Sequence, residues 1–378
     1  MIRFYLGHLE NRQRLYREFV EDADRGQPCL FLVPEQFTVH AEHHLMQLRP
    51  QGFGGQAEVV SFKRLARRVM IACGRSLGHQ PDAAIASVVM LRAFMKLRES
   101  LQFYASARVT PGFVAQLCRA EEQMRRSCIT PEELETAAQS MGARRQKLEE
   151  LARIVGQYRA MMEESAFALD EQEQAAALLD ETSVFDGYRI YVDGFYYFSA
   201  AELDLLSRLM KRSDITFALP ADTRHAEGER ESVFGRPAKT MAQLRRLADG
   251  GQIEVVRMAE DQENEALAHL RRHLFLPQVT PYDKDTDAVC LHAAADCFDE
   301  AEQVAVTIAK LRREGYRDGE IAVLCRDESL YKGVLDSVLE MHGISVFSDK
   351  RTHIAVKPLA LLLSTALDIA ADDFTTED

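Results

Sequence analysis

Residues Phe4 to Leu15 read F-Y-L-G-H-L-E-N-R-Q-R-L, and this stretch decides the fold. A short apolar run ends at Gly7, and a polar turn then leads into apolar residues at helical spacing. The pattern predicts a strand, a turn and an amphipathic helix, which together form the frame of a phosphate-binding loop. The chemistry of such a loop is missing, because it needs a second glycine, a lysine for the phosphates and a Ser or Thr hydroxyl for Mg²⁺.

The polar residues after Gly7 are unsuited to phosphate. In place of the binding groups the stretch offers Glu10, Asn11, Arg12, Gln13 and Arg14. Glu10 would put a carboxylate where phosphate oxygens lie, and like charges repel strongly in a partly dry site. We therefore identify no confident nucleotide-binding residue, and Gly7, Gln13 and Arg14 mark a degenerate loop. The alternative is a strand-Gly-helix turn that never held a ligand.

Length and composition bound the class of protein. A chain of 378 residues suits two or three domains, and a hydrophobic content of 47% leaves ample material for their cores. The net charge of −13 argues against a general nucleic-acid coat protein, because non-specific DNA affinity comes from neutralising phosphates with Lys and Arg. It does not exclude a basic channel inside an acidic body.

The cysteines and the N-terminus indicate a compartment. The seven cysteines are scattered, with no C-x-x-C and no paired His at metal-ligand spacing: Cys29, Cys73, Cys118, Cys128, Cys290, Cys297 and Cys325. We expect reduced thiols in a cytoplasmic protein, without a disulfide framework and without a metal site. The N-terminus lacks a secretory signal pattern, and no apolar run reaches membrane-spanning length, so no membrane association is expected.

Short apolar runs and helical patterns alternate along the chain. This rhythm predicts an α/β domain with a parallel sheet, its first part over residues 1–80 and its second part over 181–280. Residues 81–180 carry only helical spacing and are predicted to be a helical insertion. The polar stretch 220–235 is predicted to be an exposed loop. After a linker rich in Pro and Asp, residues 287–378 are predicted to begin a second α/β domain, with strands Val289–Ala294, Ile321–Leu324 and Ile344–Phe347.

Four segments in order resemble one family. Their order and spacing, around the helical insertion, are similar to the N-terminal part of the AddB subunits of bacterial AddAB (RexAB) helicase/deoxyribonucleases. The resemblance covers essentially the whole chain, and each segment alone is only moderately specific. The segments are F-L-V-P-E-Q-F-T-V-H-A-E (Phe31–Glu42), V-V-S-F-K-R-L-A-R-R-V (Val59–Val69), I-Y-V-D-G-F-Y-Y-F (Ile190–Phe198) and G-E-I-A-V-L-C-R (Gly319–Arg326).

The resemblance implies an architecture and a machine. It implies a superfamily-one helicase-like body, in which the first motor-like domain is interrupted by helices and a second begins near Ala288. The family's complex is a heterodimer with an AddA-type subunit, processes double-strand DNA ends for homologous recombination and responds to a Chi sequence. AddB subunits continue to a nuclease domain, so the full-length family implies Mg²⁺ and a 4Fe-4S cluster there. No cofactor is expected in the present chain, which resembles an N-terminal fragment.

A second group that an active ATPase site needs is also missing. In an active helicase the strand equivalent to Arg189–Val192 ends in an Asp-Glu pair, one carboxylate for Mg²⁺ and one to polarise the attacking water. Here Asp193 is followed by Gly194, so the second carboxylate is absent. We predict no catalytic residue in this chain and expect it to be inactive alone. The enzyme alternative is ATP hydrolysis through an unconventional loop, and Asp193 could instead simply form a turn with Gly194.

Several residues after the predicted strands could contact DNA. Aromatic faces at Phe62 and Phe195 can stack on bases, and Arg64, Arg67 and Arg68 lie three and four apart on one helix. The resemblance implies that matching positions line the path of the translocating strand and take part in Chi recognition. The predicted single-strand DNA site is Gln36, Thr38, Phe62, Arg64, Arg67 and Phe195.

Each of these assignments has a structural alternative. The phenylalanines could be ordinary core residues, and the arginines could form a solvated helix face. Tyr196, Tyr197 and Phe198 are expected to serve mostly in packing. A further alternative for the whole chain is an interaction scaffold whose acidic surface binds a partner and never touches DNA.

Overall fold

A computed structural model describes most of the chain: residues 1–7, 10–75, 81–165, 167, 171–220, 235–248, 250–258, 264–274, 279–331, 333–346, 354 and 357–371. The predicted exposed loop at 220–235 lies, apart from its two end residues, outside this part. The chain divides into two compact units, Met1–Asp283 and Lys284–Asp378. Within the described residues, no helix combines the length and the apolarity needed to cross a bilayer.

The first unit is built on a six-stranded sheet in which every pair of neighbours is parallel. The strand order is β3-β2-β4-β5-β1-β6, so one strand, β5, separates β1 from β4. This confirms the predicted α/β class with a parallel sheet. The strands are β1 (Ile2–Gly7), β2 (Cys29–Leu32), β3 (Ala57–Val60), β4 (Arg189–Val192), β5 (Asp214–Pro220) and β6 (Ile253–Arg257).

Helices cover both faces of this sheet, and the described α-helices of the first unit number eleven. Five of them, α4 to α8, lie within residues 81–180, where the helical spacing predicts them. The eleven are α1 (Glu10–Asp24), α2 (Thr38–Leu48), α3 (Phe62–Ala72), α4 (Ala83–Leu97), α5 (Pro111–Arg126), α6 (Pro131–Ala138), α7 (Arg145–Glu164), α8 (Glu171–Leu179), α9 (Ala200–Met210), α10 (Gly235–Leu247) and α11 (Glu265–His273).

Two hydrophobic layers sandwich the sheet, because successive strand residues point to opposite faces. Phe4 stacks on Phe217 at 5.4 Å between ring centroids, on the face covered by α3, α8, α9 and α10. Its neighbour Tyr5 lies on the other face with Phe19 and Phe31, under α1 and α2. Burial on both faces explains why β2 is a continuous apolar run, as parallel strands commonly are.

The second unit contains α12 (Cys297–Arg313), α13 (Val334–Met341) and α14 (Pro358–Ala371) among its described residues. The predicted strands Val289–Ala294 and Ile321–Leu324 are wrong, because both segments are irregular. Leu291 and Leu324 are 98% and 92% exposed, and among the described residues no strand pairs with either segment. A strand needs a ladder partner for its backbone groups. The third segment is irregular as far as Val346, and Phe347 lies outside the described residues.

Candidate functional site

A cavity of about 330 Å³ opens at the carboxyl edge of the sheet, where ligands bind in open parallel α/β sheets. It lies where the segments that follow β1, β2 and β4 meet the end of β5. We call it the edge cavity. The lining residues used below are Arg12, Tyr16, Phe37, His40, Asp193 and Tyr196.

An internal ion pair fills the floor of the edge cavity. Arg12 Nε donates to Asp193 Oδ2 at 2.9 Å, and the Asp193 side chain is almost fully buried while Arg12 stays partly exposed. Burial raises the pKa of the Asp193 carboxyl above its usual value, and Arg12 opposes that rise. Since β5 separates β1 from β4, the first turn of α1 reaches across one strand to form this pair. The chain itself therefore supplies the cation that balances the buried carboxylate at the end of β4.

The side chain of Asn11 occupies the corner beside Gly7. Its Nδ2 donates to the carbonyl oxygens of Leu219 at 3.0 Å and of Tyr5 at 3.4 Å, and its Oδ1 accepts from the Arg12 backbone N–H at 2.7 Å. A Cβ placed on Gly7 would lie 3.7 Å from the Asn11 Cβ. Asn11 is buried and every polar atom of its side chain is engaged, so it ties β1 to β5 rather than offering donors to a ligand.

The other members of the degenerate loop point elsewhere. Gln13 and Arg14 are exposed on α1 and do not line the edge cavity. Arg14 Nη2 instead pairs with Glu18 Oε1 at 2.8 Å, one helical turn further along. Glu10, the carboxylate expected to repel phosphate, lies 4.0 Å from Arg271 Nη1 through its Oε1.

Gly194 lets two loops approach each other closely. Its φ is +82°, a left-handed conformation that favours glycine, and a Cβ there would lie 3.1 Å from Pro34 Cδ and 3.7 Å from Phe37 Cδ2. The Asp-Gly sequence thus makes the tight turn that its composition suggests. The consequence is that the loop after β4 packs on the loop after β2, its neighbour in the sheet.

Phe62 and Phe195 are brought together, but they are buried. Their side chains are 3% and 9% exposed, and their rings meet edge to face at 5.3 Å between centroids. Phe198 adds a third ring, 4.9 Å from Phe195. Since the rings cover one another, this arrangement favours the core alternative for both phenylalanines over base stacking.

The three arginines of α3 have different surroundings. Arg67 Nε donates to the buried Glu171 Oε2 at 3.1 Å, which ties α3 to α8. Arg68 pairs with Glu58 and donates to the Tyr188 hydroxyl at 3.2 Å. Arg64 is exposed and lies 3.5 Å from Glu42 Oε1, a weak contact that leaves its charge accessible to solvent. Of the three, Arg64 is therefore the best placed to meet a phosphate.

Gln36 and Thr38 follow β2 but differ in access. The Gln36 side chain is exposed at the carboxyl edge. Thr38 is buried, and its hydroxyl donates to the Glu35 carbonyl oxygen at 3.0 Å. In this conformation Gln36 can reach a ligand, whereas the Thr38 hydroxyl is already engaged at the start of α2.

Sequence reasoning missed three exposed aromatic residues at the same edge. Phe37, Tyr196 and Tyr197 are 42%, 58% and 65% exposed, and the Arg236 guanidinium carbon lies 5.9 Å from the centre of the Tyr197 ring. The expectation that both tyrosines serve mostly in packing is wrong, because the loop turns them outward. The only signal in the sequence was their place after a strand that ends in Asp-Gly.

Comparison with known proteins places the chain in a family. A family model described as "ADDB, N-terminal" matches residues 12–271, which run from Arg12 in α1 through strands β2 to β6 and into α11. The chain belongs to the AddB family. The AddB match includes both partners of the Arg12–Asp193 pair and every helix between β3 and β4. This confirms the family predicted from the four segments.

Relatives of the chain are named as subunits of ATP-dependent helicase/deoxyribonucleases. The one from Geobacillus thermodenitrificans is 31% identical over 380 residues, covering 94% of this chain and 32% of the relative. Those from Thermoanaerobacter sp. (strain X514) and Clostridium perfringens (strain 13) are both 27% identical, covering 100% and 92% of this chain. The chain thus spans about a third of the length of the curated relatives it matches.

Metal-ligating side chains do not converge in the part of this AddB chain that the structure describes. No group of three or more His, Cys, Asp or Glu residues there is placed to hold a metal ion. All seven cysteines lie among the described residues, and no disulfide joins any of them.

Proposed function

We propose that this chain is the N-terminal, helicase-like region of an AddB-type subunit that guides and scans single-stranded DNA, including Chi recognition. It would act in a heterodimer whose AddA-type subunit supplies ATP hydrolysis, in the repair of double-strand breaks by homologous recombination. Its own ATPase site is degenerate. In this proposal Mg²⁺ and a 4Fe-4S cluster belong to the nuclease region of the full-length subunit.

The Arg12–Asp193 ion pair is the observation that carries the proposal. A motor needs the carboxylate at the end of β4 for Mg²⁺, and a metal ion would have to displace a guanidinium 2.9 Å away. Separating a buried carboxylate from the one ion-pair partner that the described residues give it costs several kcal/mol. A helicase-like sheet that keeps this pair is better suited to binding than to hydrolysis.

Groups suited to a single strand remain exposed at the same edge. Tyr196, Tyr197 and Phe37 offer aromatic faces, and stacking is worth about 1–3 kcal/mol per base in single-strand binders. Lys63 and Arg64, exposed on the first turn of α3, can meet phosphates, and Gln36 can reach a base edge. Stacking faces beside a few cations are the combination that binds a strand without enclosing it.

Fluorescence anisotropy with a labelled single strand tests the proposal on the 378-residue chain. We expect binding at low salt that weakens as salt rises, because phosphate contacts release counterions. The double variant Lys63→Ala/Arg64→Ala should weaken binding at least fivefold and flatten the salt dependence. Arg14→Ala removes an equally exposed arginine away from the edge cavity and should change affinity less than twofold.

Two outcomes would contradict the proposal. Absence of binding at low salt would favour the interaction-scaffold alternative. DNA-stimulated phosphate release from ATP that disappears in Asp193→Ala would show that the chain is an ATPase with an unconventional loop.

A further inference from the structure

The edge cavity has an aromatic mouth and a polar floor. Phe37 and Tyr196 lie at the mouth with large exposed fractions, and the buried ring of Tyr16 forms part of the wall. Its volume of about 330 Å³ lies at the small end of ligand pockets, which suits one planar ring system rather than a whole nucleotide. The cavity is continuous with the exposed surface formed by Tyr196 and Tyr197, because Tyr196 also lines the cavity.

The polar groups of the cavity fall into two sets. The Asn11 amide and the Asp193 carboxylate are already engaged, the first by backbone and the second by Arg12. Two side chains remain accessible: Arg12, partly exposed and also near the Tyr16 hydroxyl, and His40, exposed on α2. The accessible set can therefore donate hydrogen bonds to a ligand that presents acceptors.

These properties favour a base over a phosphate. The Arg12 charge is balanced by Asp193, so the floor has little net charge with which to hold a polyanion. Asn11 fills the corner beside Gly7 where phosphates would have to approach. A base has a flat ring for Tyr196 and Phe37 and carries acceptors on its edge, and enzymes that extrude bases hold them in the same way, between apolar rings and hydrogen-bonding groups.

We propose that the edge cavity takes one unstacked base of the bound single strand, with guanine the best fit. The inference rests on the proposed function, since the base arrives as part of a strand. Guanine presents O6 and N7 side by side, and arginine is their commonest partner. Arg12 and His40 supply donors, while Tyr196 and Phe37 supply the stacking faces.

Photocrosslinking locates the base. Strands of twelve thymidines carrying one 5-iododeoxyuridine, placed at successive positions, are bound to the 378-residue chain, irradiated and mapped by mass spectrometry. We expect crosslinks to Tyr196, His40 or Phe37. Crosslinks confined to Tyr197 and other residues outside the cavity would overturn the inference while leaving the proposed function standing.

Two matched pairs of variants test the role of the cavity. With the crosslink yield expressed per bound strand, Tyr196→Ala should lower the yield at His40 and Phe37 at least fivefold. Tyr197→Ala, in the adjacent exposed tyrosine outside the cavity lining, weakens binding but should leave the yield per bound strand within twofold. His40→Ala should remove a preference of about fivefold for a strand with one central guanine over one with adenine. His43→Ala, exposed on the same helix, should keep that preference.

The outcomes separate the two levels of the proposal. No strand binding at low salt would remove the proposed function and the inference together. Strand binding with equal effects in each matched pair, or with no preference for guanine, would remove the inference alone. Circular dichroism of the four variants, all in exposed side chains, shows whether each retains the wild-type fold.

Discussion

The two ends of β4 hold buried carboxylates in opposite surroundings. At the amino end, Asp22 of α1 accepts hydrogen bonds from Arg189 Nη1 at 2.5 Å, from Arg25 Nη1 at 3.0 Å and from the Tyr191 hydroxyl. At the carboxyl end, Asp193 has one ion-pair partner among the residues that the structure describes, Arg12, at 2.9 Å. The Asp22 carboxylate is thus surrounded by hydrogen-bond donors, whereas the Asp193 carboxylate borders a cavity.

The same helix makes both contacts. Arg12 and Asp22 are ten residues apart on α1, about 15 Å of helix, and the strand from Arg189 to Asp193 spans about 13 Å. Helix and strand are therefore matched in length and run in opposite directions. The comparison shows that the contacts of Asp22 at the amino end stabilise the fold. At the carboxyl end Asp193 has fewer hydrogen-bond partners, because that end of β4 borders the edge cavity.

The pKa values of the two carboxyls express this difference. Burial alone would raise the pKa of Asp22, but hydrogen bonds from Tyr191 and Arg189 outweigh it, so the pKa lies below the usual value. Burial dominates at Asp193 and holds its pKa above the usual value despite Arg12. Ionised Asp22 therefore stabilises the fold, whereas ionised Asp193 is tolerated at a cost.

The largest expected effect comes from the amino end. Asp22→Ala should lower the free energy of unfolding by about 3 kcal/mol at pH 7, because the buried Tyr191 hydroxyl and the Arg189 guanidinium lose their acceptor. Urea unfolding followed by circular dichroism measures it. Arg25→Ala removes the exposed partner of the same carboxylate and should cost less than about 1 kcal/mol. Equal costs in the two variants would contradict the view that the buried contacts dominate.

Removing the ion pair at the carboxyl end of β4 should lower the free energy of unfolding by less. Arg12→Ala should lower the free energy of unfolding by about 2 kcal/mol at pH 7, because Asp193 stays buried without its cation while water reaches it through the cavity. Arg14→Ala, whose partner Glu18 is one turn away, should cost no more than about 0.5 kcal/mol in the same measurement. A cost for Arg12→Ala as small as that for Arg14→Ala would show that Asp193 needs no partner.

Opposite pH dependences would sharpen the comparison. The folded pKa of Asp22 is lowered, so its stabilisation is present above the unfolded pKa and fades as pH falls through the folded value. Asp22→Asn should therefore cost most near pH 7 and progressively less in acid. The folded pKa of Asp193 is raised, so its ionisation weakens the fold as pH rises from the unfolded to the folded pKa. Asp193→Asn should accordingly be more favourable, relative to wild type, at pH 7 than in acid. Unfolding curves from about pH 3 to 7 measure both trends, and parallel trends would contradict the assignment.

The smallest expected effect lies on the exposed surface. Tyr197→Ala should weaken single-strand binding about fivefold in the anisotropy assay, the lower end of the stacking range, without lowering the free energy of unfolding by more than about 0.5 kcal/mol. Phe62→Leu, in the buried ring cluster, should do the reverse. Stability that changes in Tyr197→Ala, or strand affinity that depends on Phe62 at constant stability, would reverse the roles assigned to exposed and buried aromatic residues.

Sequence patterns predicted the sheet well, since each strand of the first unit is a short run with turn residues at its ends. The bounds of β4 were predicted to the residue, and the helical block was recognised from its spacing alone. Predicted strands failed in the second unit because an apolar run such as Ile321–Leu324 is a strand only when a neighbour pairs with it.

The candidate site was predicted less well, for a physical reason. Phe195 and Tyr196 are adjacent in a loop, yet one is buried and the other exposed, and a loop has no period from which to read that difference. The residues around Gly7 and the Asp193-Gly194 pair could be read separately from the sequence. The ion pair between Arg12 and Asp193 could not be predicted, because the two residues are 181 positions apart and only the order of the strands brings them together.

The ion pair between Arg12 and Asp193 also bears on how such a protein is controlled. On the proposed function, an edge that carries its own cation does not respond to the ratio of ATP to ADP in the cell. The affinity of this edge for a strand is then set by the positions of its side chains. A change in that affinity would require a displacement of the loops or tension in the DNA. On this view the edge would bind the passing strand with an affinity fixed by the fold, while the partner subunit would move the DNA.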